Sequence, residues 1–185
     1  MGDGCNSART ELAQGEYVIE IRSEVPADYP AVHELNERAF EGPVEARLVD
    51  LLRAAQKAVI SLVALHEDRV VGHIMFSPVT VAEASENVRA VGLAPMSVLP
   101  EFQNRGIGSR LVRAGLEACT RSGYDVVVVL GHTNYYPRFG FVRAKDYGLD
   151  NEYDAGDSFM VMELKSGALR GIRGLVKYAP EFREG

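Results

Sequence analysis

The spacing of hydrophobic and polar residues changes several times along the chain, and the first change separates a strand from a pair of helices. Residues 17–22 alternate between apolar and polar side chains, which predicts a half-buried strand. Apolar residues then recur at helical spacing and predict helices over residues 30–40 and 44–55. Glu41-Gly42-Pro43 separates the two helices, and Pro43 suits the first turn of the second.

Beyond residue 58 the pattern becomes that of a sheet with one long helix. Strand-like runs over residues 59–65 and 70–76 flank a polar turn and predict a hairpin. A third strand, over 88–98, contains Gly92 and Pro95, which predict a bulge or an edge position. The other predicted elements are a helix over 108–121, a strand buried on both faces over 126–130, a helical or loop segment over 134–139, strands over 141–144 and 159–164, and an acidic loop over 146–157.

This order of elements predicts one mixed α/β domain without repeats or a linker. Residues 1–16 are polar and aperiodic, so they are predicted to form a flexible leader before a single domain over residues 17–185. The chain has 185 residues, of which 46% are hydrophobic, a fraction too high for a disordered protein.

Charge and cysteine content narrow the functional classes. The formal net charge of −6 argues against a nonspecific nucleic-acid binder, which needs clustered basic residues. No apolar run approaches the length of a membrane span, and the first residues lack the pattern of a signal peptide. Two cysteines, Cys5 and Cys119, cannot build a disulfide framework, so a cytoplasmic protein is expected. His66 and His73 have no further ligands at metal spacing, and no metal site is predicted.

The segment over residues 96–108 carries the clearest chemical signal. A strand ends at Leu99-Pro100, and Gly106 and Gly108 then open an amphipathic helix. Amide groups without a partner within the helix, together with the helix dipole, make such a turn an anion site, and glycine lets a phosphate approach the backbone. No Lys-Ser or Lys-Thr pair follows the glycines and no third glycine follows Gly108, so neither a P-loop nor a dinucleotide fingerprint is present.

The same segment resembles the acetyl-CoA-binding motif of the GCN5-related N-acetyltransferases, written V-x-P-x-x-Q-x-x-G-x-G. Every specified position matches, with Val98, Pro100, Gln103, Gly106 and Gly108. About thirty residues later, the segment from Tyr135 to Phe141 resembles the family element Y-x-K-x-G-F, although Arg138 replaces the lysine. The resemblance extends over roughly residues 17–165.

The resemblance implies a fold and a cofactor. The fold is a mixed, largely antiparallel sheet that is splayed at the cofactor strand and carries helices on both faces. The co-substrate is acetyl-CoA. The main chain of Met96, Ser97 and Val98 would pair with its pantetheine arm, and Arg138 would meet the adenosine 3′-phosphate. The pyrophosphate would be wrapped by the turn and first helical residues, which are Gln103, Asn104, Arg105, Gly106, Ile107, Gly108 and Ser109.

The resemblance also implies the catalytic groups. Tyr136 matches the general acid that protonates the departing CoA thiolate, a step for which a phenol has a suitable basicity. The strand segment over residues 92–95 offers no carboxylate as a general base, and His132 is the nearest candidate, acting through a water molecule. Structural roles remain open for both residues: Tyr136 as a buried tyrosine of the core, and His132 as a hydrogen-bonded histidine.

The expected function is transfer of an acetyl group from acetyl-CoA to a primary amine by direct attack in a ternary complex. The alternative is a non-catalytic regulatory module that binds CoA, and the resemblance leaves a homodimer open. Residues 99–145 carry seven basic and three acidic side chains, whereas residues 16–50 carry nine acidic side chains and three arginines. This division suits an anionic cofactor on one side and a cationic acceptor on the other.

Overall fold

The computed structural model describes residues 18–84 and 88–184. The strands of this part of the chain are β1 (Glu20–Ser23), β2 (Ile60–His66), β3 (Arg69–Pro78), β4 (Thr80–Ala84), β5 (Ala90–Val98), β6 (Val126–Leu130), β7 (Val142–Arg143), β8 (Leu149–Asn151), β9 (Phe159–Glu163) and β10 (Ile172–Lys177). The α-helices are α1 (Tyr29–Phe40), α2 (Val44–Ala54) and α3 (Ile107–Arg121). The predicted leader, with Cys5, and the first residue of the first predicted strand lie outside the described residues.

The main sheet has seven strands in the order β1-β2-β3-β5-β6-β9-β7. Only the β5–β6 pair is parallel among the paired strands of this sheet in the described chain. Side chains of β3 alternate between two helical layers: a Cβ atom on Gly115 of α3 would lie 2.4 Å from Phe76, whereas His73 faces Asn36 of α1. The predicted mixed sheet with helices on both faces is thereby confirmed.

β5 is an internal strand, and it is the strand at which the sheet opens. It pairs with β3 as far as Val98, but its pairing with β6 runs only from Ala90↔Val126 to Leu93↔Val129. The register with β3 shifts between Ile74 and Phe76, which is the predicted bulge. The alternative prediction of an edge position is wrong, because β5 has a neighbour on each side. Beyond Leu93 the strand faces a gap, as the predicted splay requires.

A second sheet, in the order β4-β10-β8, was not predicted from the sequence. It covers the face of β6 opposite α3, where Val126 and Val128 pack with Ile172 and Val176. Residues 149–151 lie within the segment predicted as an acidic loop, and three residues are too few to show a period. In β10 a register shift between Arg173 and Val176 breaks the alternation that would reveal a strand.

The other predicted elements agree closely with the structure. The three α-helices begin and end within one residue of the predicted bounds, and β6 has the predicted bounds. The predicted strand over residues 141–144 is shorter, since only Val142–Arg143 pairs with β9 before the chain turns at Ala144. The predicted segment over 134–139 contains a short 3₁₀ turn, Tyr136–Phe139.

A buried hydrogen-bonded network joins β5 to the helices on the α1 side. The Ser97 hydroxyl donates to Asn36 Oδ1 at 3.0 Å, and Asn36 Nδ2 lies 3.5 Å from His73 Nδ1. On the other side of the ring, Nε2 lies 2.9 Å from Ser61 Oγ, which donates to Glu24 at 2.8 Å. Because Ser61 uses its proton for Glu24 and Asn36 presents an amide N–H, the neutral His73 tautomer with its proton on Nε2 satisfies every contact.

The first prediction concerns acid stability. Full burial, helped by the Arg53 charge, lowers the pKa of His73 from 6.5 to about 3. Glu24 lies 4.0 Å from Nε2, but its charge is already paired with Arg53 and does not offset the burial. Between pH 6.5 and about pH 3 the unfolded chain binds one more proton than the folded chain. The free energy of unfolding therefore has its full value above pH 6.5 and decreases as the pH falls below it, by up to about 1.4 kcal/mol per pH unit.

Urea unfolding between about pH 7 and pH 5 measures this loss. His73→Gln is expected to abolish most of the slope, whatever its effect on stability at neutral pH. His132→Gln is the matched control, because it removes an exposed histidine and leaves the buried network intact. Equal slopes in wild type and His73→Gln would contradict a buried neutral imidazole.

Candidate active site

The turn after β5 presents main-chain N–H groups at the start of α3. Gly106 precedes the helix with φ 78°, and Asn104 also has a positive φ of 59°. The Arg110 N–H donates to the Gly106 carbonyl at 3.0 Å and begins the helical hydrogen bonds. The amides of Ile107, Gly108 and Ser109 therefore precede these bonds and point out of the helix end, where an anion is favoured. A Cβ atom on Gly106 would meet nothing within 4 Å, so the space before the turn is open.

Side chains around the turn fix its position against the sheet. Gln103 Nε2 donates to the Val98 carbonyl at 3.0 Å and its main-chain N–H donates to the Pro100 carbonyl at 3.3 Å, so both groups fix the turn to the end of β5. Ile107 is 2% exposed and packs near Gly72 of β3, which restricts its contribution to a ligand to its N–H. Glu101 accepts hydrogen bonds from Arg38 and Arg69, and thus ties the turn to α1 and β3.

The main chain of β5 offers hydrogen-bonding groups to the gap left by β6. The Leu99 N–H donates to the Val71 carbonyl at 3.0 Å, and bonded pairs alternate along an antiparallel ladder. Ser97 therefore also directs its main chain to β3, whereas Met96 and Val98 direct theirs toward the gap. This geometry favours Met96 and Val98 over Ser97 for pairing with a pantetheine arm, because the Ser97 main chain faces β3 and its side chain faces Asn36.

Tyr135 and Arg138 form a wall beside the start of α3. A Cβ atom on Gly108 would lie 2.9 Å from the Tyr135 hydroxyl and 3.4 Å from Met96 Sδ, so Gly108 allows these groups to approach the helix. The Arg138 guanidinium stacks 4.0 Å from the centre of the Tyr135 ring, and its Nε donates to the Tyr135 carbonyl at 3.0 Å. Arg138 is exposed, which leaves its charge accessible to a phosphate.

Tyr136 is buried at the end of β6, and Gly131 makes room for it. A Cβ atom on Gly131 would lie 2.2 Å from Tyr136 Cε2, closer than any side chain can approach. The ring packs edge-on against Tyr135 and Phe141 and is 7% exposed. Burial, followed by the neighbouring Tyr135, raises the pKa of Tyr136 well above its ordinary value of 10. A phenol is protonated at neutral pH with or without this shift, and the burial itself makes release of the proton harder.

His132 lies between β6 and the 3₁₀ turn, with an exposed side chain. Its carbonyl accepts the Tyr135 N–H at 2.9 Å and the Tyr136 N–H at 3.4 Å, so its main chain orients the tyrosine segment. Within residues 18–84 and 88–184 its ring has no hydrogen-bond partner, and the alternative of a hydrogen-bonded structural histidine finds no support there.

Neither a reactive thiol nor a metal centre lies in residues 18–84 and 88–184. Cys119 is fully buried, and burial raises the pKa of its thiol to about 12, so this residue is a poor acetyl carrier. No group of three His, Cys, Asp or Glu side chains in residues 18–84 and 88–184 is placed to hold a metal ion. No helix in these ranges combines the length and apolar character needed to cross a bilayer.

The splayed strand, the glycine turn and the buried tyrosine agree with one family. A model of the acetyltransferase (GNAT) domain matches residues 20–144. The chain belongs to the GNAT acetyltransferase family. This GNAT chain is 38% identical over 164 residues to the uncharacterized N-acetyltransferase YhbS of Escherichia coli K12, with 88% of this chain and 97% of YhbS covered. It is 40% identical over 117 residues to the uncharacterized N-acetyltransferase YjhQ of the same strain, with 62% of this chain and 65% of YjhQ covered.

Solved GNAT structures share the fold. The crystal structure of Escherichia coli YhbS in complex with CoA matches with a TM-score of 0.85 at 35% identity, covering 94% of this chain and 96% of that one. A GNAT acetyltransferase from Brucella melitensis in complex with acetyl-CoA matches with a TM-score of 0.75 at 34% identity, covering 90% and 99% of the two chains. As a GNAT member with relatives named N-acetyltransferases, the chain is an enzyme.

Sequence reasoning missed several residues that shape this GNAT site. Asn36 and His73 support β5 from the α1 side of the sheet, but in the sequence each is a single polar residue within an apolar pattern. Gly131, placed directly after a five-residue apolar run, carried a usable signal, since a glycine there indicates a close approach by another group.

The second prediction tests the turn. Gly106→Leu is expected to weaken CoA binding at least about tenfold, or about 1.4 kcal/mol, because the new side chain fills the space before the α3 amides. Gly156→Leu is the matched control: Gly156 has a φ of 54° and equally open surroundings, but it belongs to the turn that precedes β9. Each variant is expected to lose about 1–2 kcal/mol of stability from its left-handed backbone. Calorimetry with CoA measures affinity, and an unchanged Kd in Gly106→Leu would remove the phosphate-turn assignment.

Proposed function

We propose that the protein transfers an acetyl group from acetyl-CoA to a primary amine by direct attack in a ternary complex. The observation that carries the proposal is the opening between β5 and β6 beyond Leu93 and Val129, with the α3 turn and Tyr136 beside it. Complexes of similar proteins with CoA and acetyl-CoA support acetyl-CoA as the co-substrate. A reducing compartment such as the cytoplasm suits the buried free thiol of Cys119.

Three groups of residues fit the parts of acetyl-CoA. The amides at the start of α3 fit the pyrophosphate, with the backbone of residues 103–109 as the wrapping segment. Arg138 fits a phosphate at the outer wall. The main-chain groups of Met96 and Val98 fit the amides of the pantetheine arm, as an added strand would. Acetyl-CoA supplies an acetyl group activated as a thioester.

The chain then supplies polarisation and a proton. A main-chain N–H in the segment from Met96 to Val98 polarises the thioester carbonyl and holds the charge that develops on its oxygen. As the amine nitrogen bonds to the carbonyl carbon and the carbon–sulfur bond breaks, Tyr136 gives its proton to the sulfur. His132 receives the proton that the amine loses, through a water molecule. The phenol regains its proton from solvent after CoA leaves.

The acceptor side is acidic. Glu41 and Glu45 flank the turn between α1 and α2, and Glu41 is exposed while Glu45 is half-exposed. Carboxylates at this position attract a cationic amine before it loses its proton. A homodimer stays a prediction of the family resemblance.

The alternative, a non-catalytic module that binds CoA, rested on the missing strand carboxylate. Residues 92–95 of β5 indeed carry none. The exposed ring of His132 favours catalysis, because a module that only binds CoA does not need it, whereas the burial of Tyr136 fits a proton donor and a core tyrosine alike. Release of free thiol from acetyl-CoA, measured across a panel of primary amines, separates the two functions. CoA binding without thiol release for any amine would support the module.

The third prediction concerns the proton donor. Tyr136→Phe is expected to lower turnover about 100-fold or more, since the sulfur must leave without a proton. CoA affinity should change little, because the aromatic packing around the ring is kept. Tyr147→Phe is the matched control, a phenol that is 44% exposed and belongs to the turn after β7. Full activity in Tyr136→Phe would remove the assignment of the acid.

The fourth prediction concerns the proton acceptor. His132→Gln is expected to lower kcat about tenfold or more while leaving CoA binding intact, and added imidazole should restore part of the rate. His66→Gln serves as the control for a general loss of histidine. Rescue by imidazole distinguishes a missing base from a displaced tyrosine segment, which a small molecule cannot repair. A variant with wild-type kcat at every pH would assign His132 to structure alone.

A further inference from the structure

The hydroxyl group of Tyr135 lies where the start of α3 meets β5. A Cβ atom on Gly108 would lie 2.9 Å from Tyr135 Oη and 3.4 Å from Met96 Sδ, so the three residues meet at one point. Gly108 carries one of the amides that precede the hydrogen bonds of α3. Met96 directs its main chain toward the gap beyond the last β5–β6 pair. The hydroxyl is therefore placed at the boundary between the turn before α3 and the gap.

This hydroxyl has no protein partner in the described chain. Within residues 18–84 and 88–184 the main chain of Tyr135 bonds to His132 and Arg138, but its Oη makes no hydrogen bond. Unlike Ser77 Oγ and Tyr178 Oη, which are unpaired and fully enclosed, the oxygen of the half-buried Tyr135 retains accessible surface. A phenol in this state is a hydrogen-bond donor that a ligand can reach.

The ring of Tyr135 is held on several sides. The Arg138 guanidinium lies 4.0 Å from the ring centre, and the ring centres of Tyr136 and Phe139 lie 5.1 Å and 5.4 Å away. Arg138 Nε also donates to the Tyr135 carbonyl at 3.0 Å. These contacts restrict the ring while its oxygen lies beside Gly108, so the donor is oriented before a ligand arrives.

We propose that the Tyr135 hydroxyl donates a hydrogen bond to the pyrophosphate of acetyl-CoA, at the phosphate next to the pantetheine arm. The proposal rests on the proposed function and adds a cofactor-binding residue to it. Gly108 belongs to the turn whose amides fit the pyrophosphate, and a phosphate oxygen accepts a phenol proton in a charge-assisted bond. Because Met96 adjoins the hydroxyl, the phosphate that it meets is the one from which the pantetheine arm enters the gap.

The two adjacent tyrosines thereby take separate roles. Tyr135 binds an oxygen that carries the same charge before, during and after the reaction, so it stabilises the ground state and the transition state equally. Tyr136 donates its proton only as the carbon–sulfur bond breaks. Loss of the Tyr135 hydroxyl therefore weakens the binding of CoA and acetyl-CoA, whereas loss of the Tyr136 hydroxyl lowers kcat.

Gly108 and Tyr135 depend on each other in this arrangement. A methyl group at position 108 would lie 2.9 Å from the hydroxyl, closer than a Cβ atom normally approaches another heavy atom. Gly108→Ala therefore displaces the hydroxyl in the wild-type protein, but finds no oxygen to displace in Tyr135→Phe. The effects of the two substitutions on CoA affinity are consequently not additive.

The first experiment observes the phosphate directly by ³¹P NMR of CoA bound at saturation. The spectrum separates the pyrophosphate from the phosphate on the ribose. The pyrophosphate signals are expected to differ between the wild type and Tyr135→Phe, while the signal of the ribose phosphate stays the same. Identical pyrophosphate signals in the two proteins would overturn the proposal.

The second experiment combines calorimetry with the release of thiol from acetyl-CoA. Tyr135→Phe is expected to raise the Kd for CoA and the KM for acetyl-CoA about tenfold, with a far smaller change in kcat. Tyr147→Phe, which changes an exposed phenol of the turn after β7, is the control and keeps the wild-type Kd. A wild-type Kd in Tyr135→Phe, with thiol release intact, would reject this role and keep the proposed function. A raised Kd without thiol release for any amine would keep the role and reject the proposed function.

The third experiment is a double-mutant cycle on CoA affinity. Gly108→Ala is expected to raise the Kd about fivefold in the wild type and less than about twofold in Tyr135→Phe. Alanine favours a helix more than glycine does, so Gly108→Ala keeps α3 and its melting temperature does not fall. Equal effects of Gly108→Ala in the two backgrounds would show that the hydroxyl does not act at the pyrophosphate.

Discussion

The parting of β5 from β6 after four paired residues is the constraint on which the rest of the site depends. A parallel pair that ends early leaves the main-chain groups of Met96 and Val98 without a strand neighbour, inside a molecule that otherwise pairs such groups. The same parting sets where α3 begins and where the chain leaves β6. The glycine turn and the buried tyrosine are consequently placed on either side of one opening, although about thirty residues separate them.

An open strand needs support from its other side, and β5 receives it from two layers. β3 pairs with it as far as Val98, and the Ser97 hydroxyl bonds to Asn36 within the network that ends at Glu24. Breaking one buried hydrogen bond of this kind costs about 1–3 kcal/mol, enough to shift a strand whose remaining edge is free. Polar contacts on the α1 side of the sheet therefore hold β5 in place, together with the apolar packing of Ile107 against Gly72 on the α3 side.

The sequence predicted the parts whose signal is local. Helical spacing predicted the three α-helices, a continuous valine run predicted β6, and the glycine motif predicted the turn that precedes α3. The second sheet was not predicted because β8 is three residues long and β10 contains a register shift, so neither strand shows a regular alternation of apolar and polar residues. The sequence also did not predict the roles of Asn36, His73 and Tyr178. Each of these residues contacts partners far away in the chain, as Tyr178 contacts Gly92. A single sequence carries no trace of such meetings.

The covering of β6 by the second sheet has a consequence for how the chain is made. Val126 and Val128 belong to the central strand, but their outer face is closed by residues as late as Val176 and Tyr178. While some fifty further residues are synthesised, the outer face of β6 therefore stays uncovered and exposes apolar side chains on the nascent chain. β10 completes the packing of a central strand that is made much earlier, so the outer face of β6 is covered only after β10 has been synthesised.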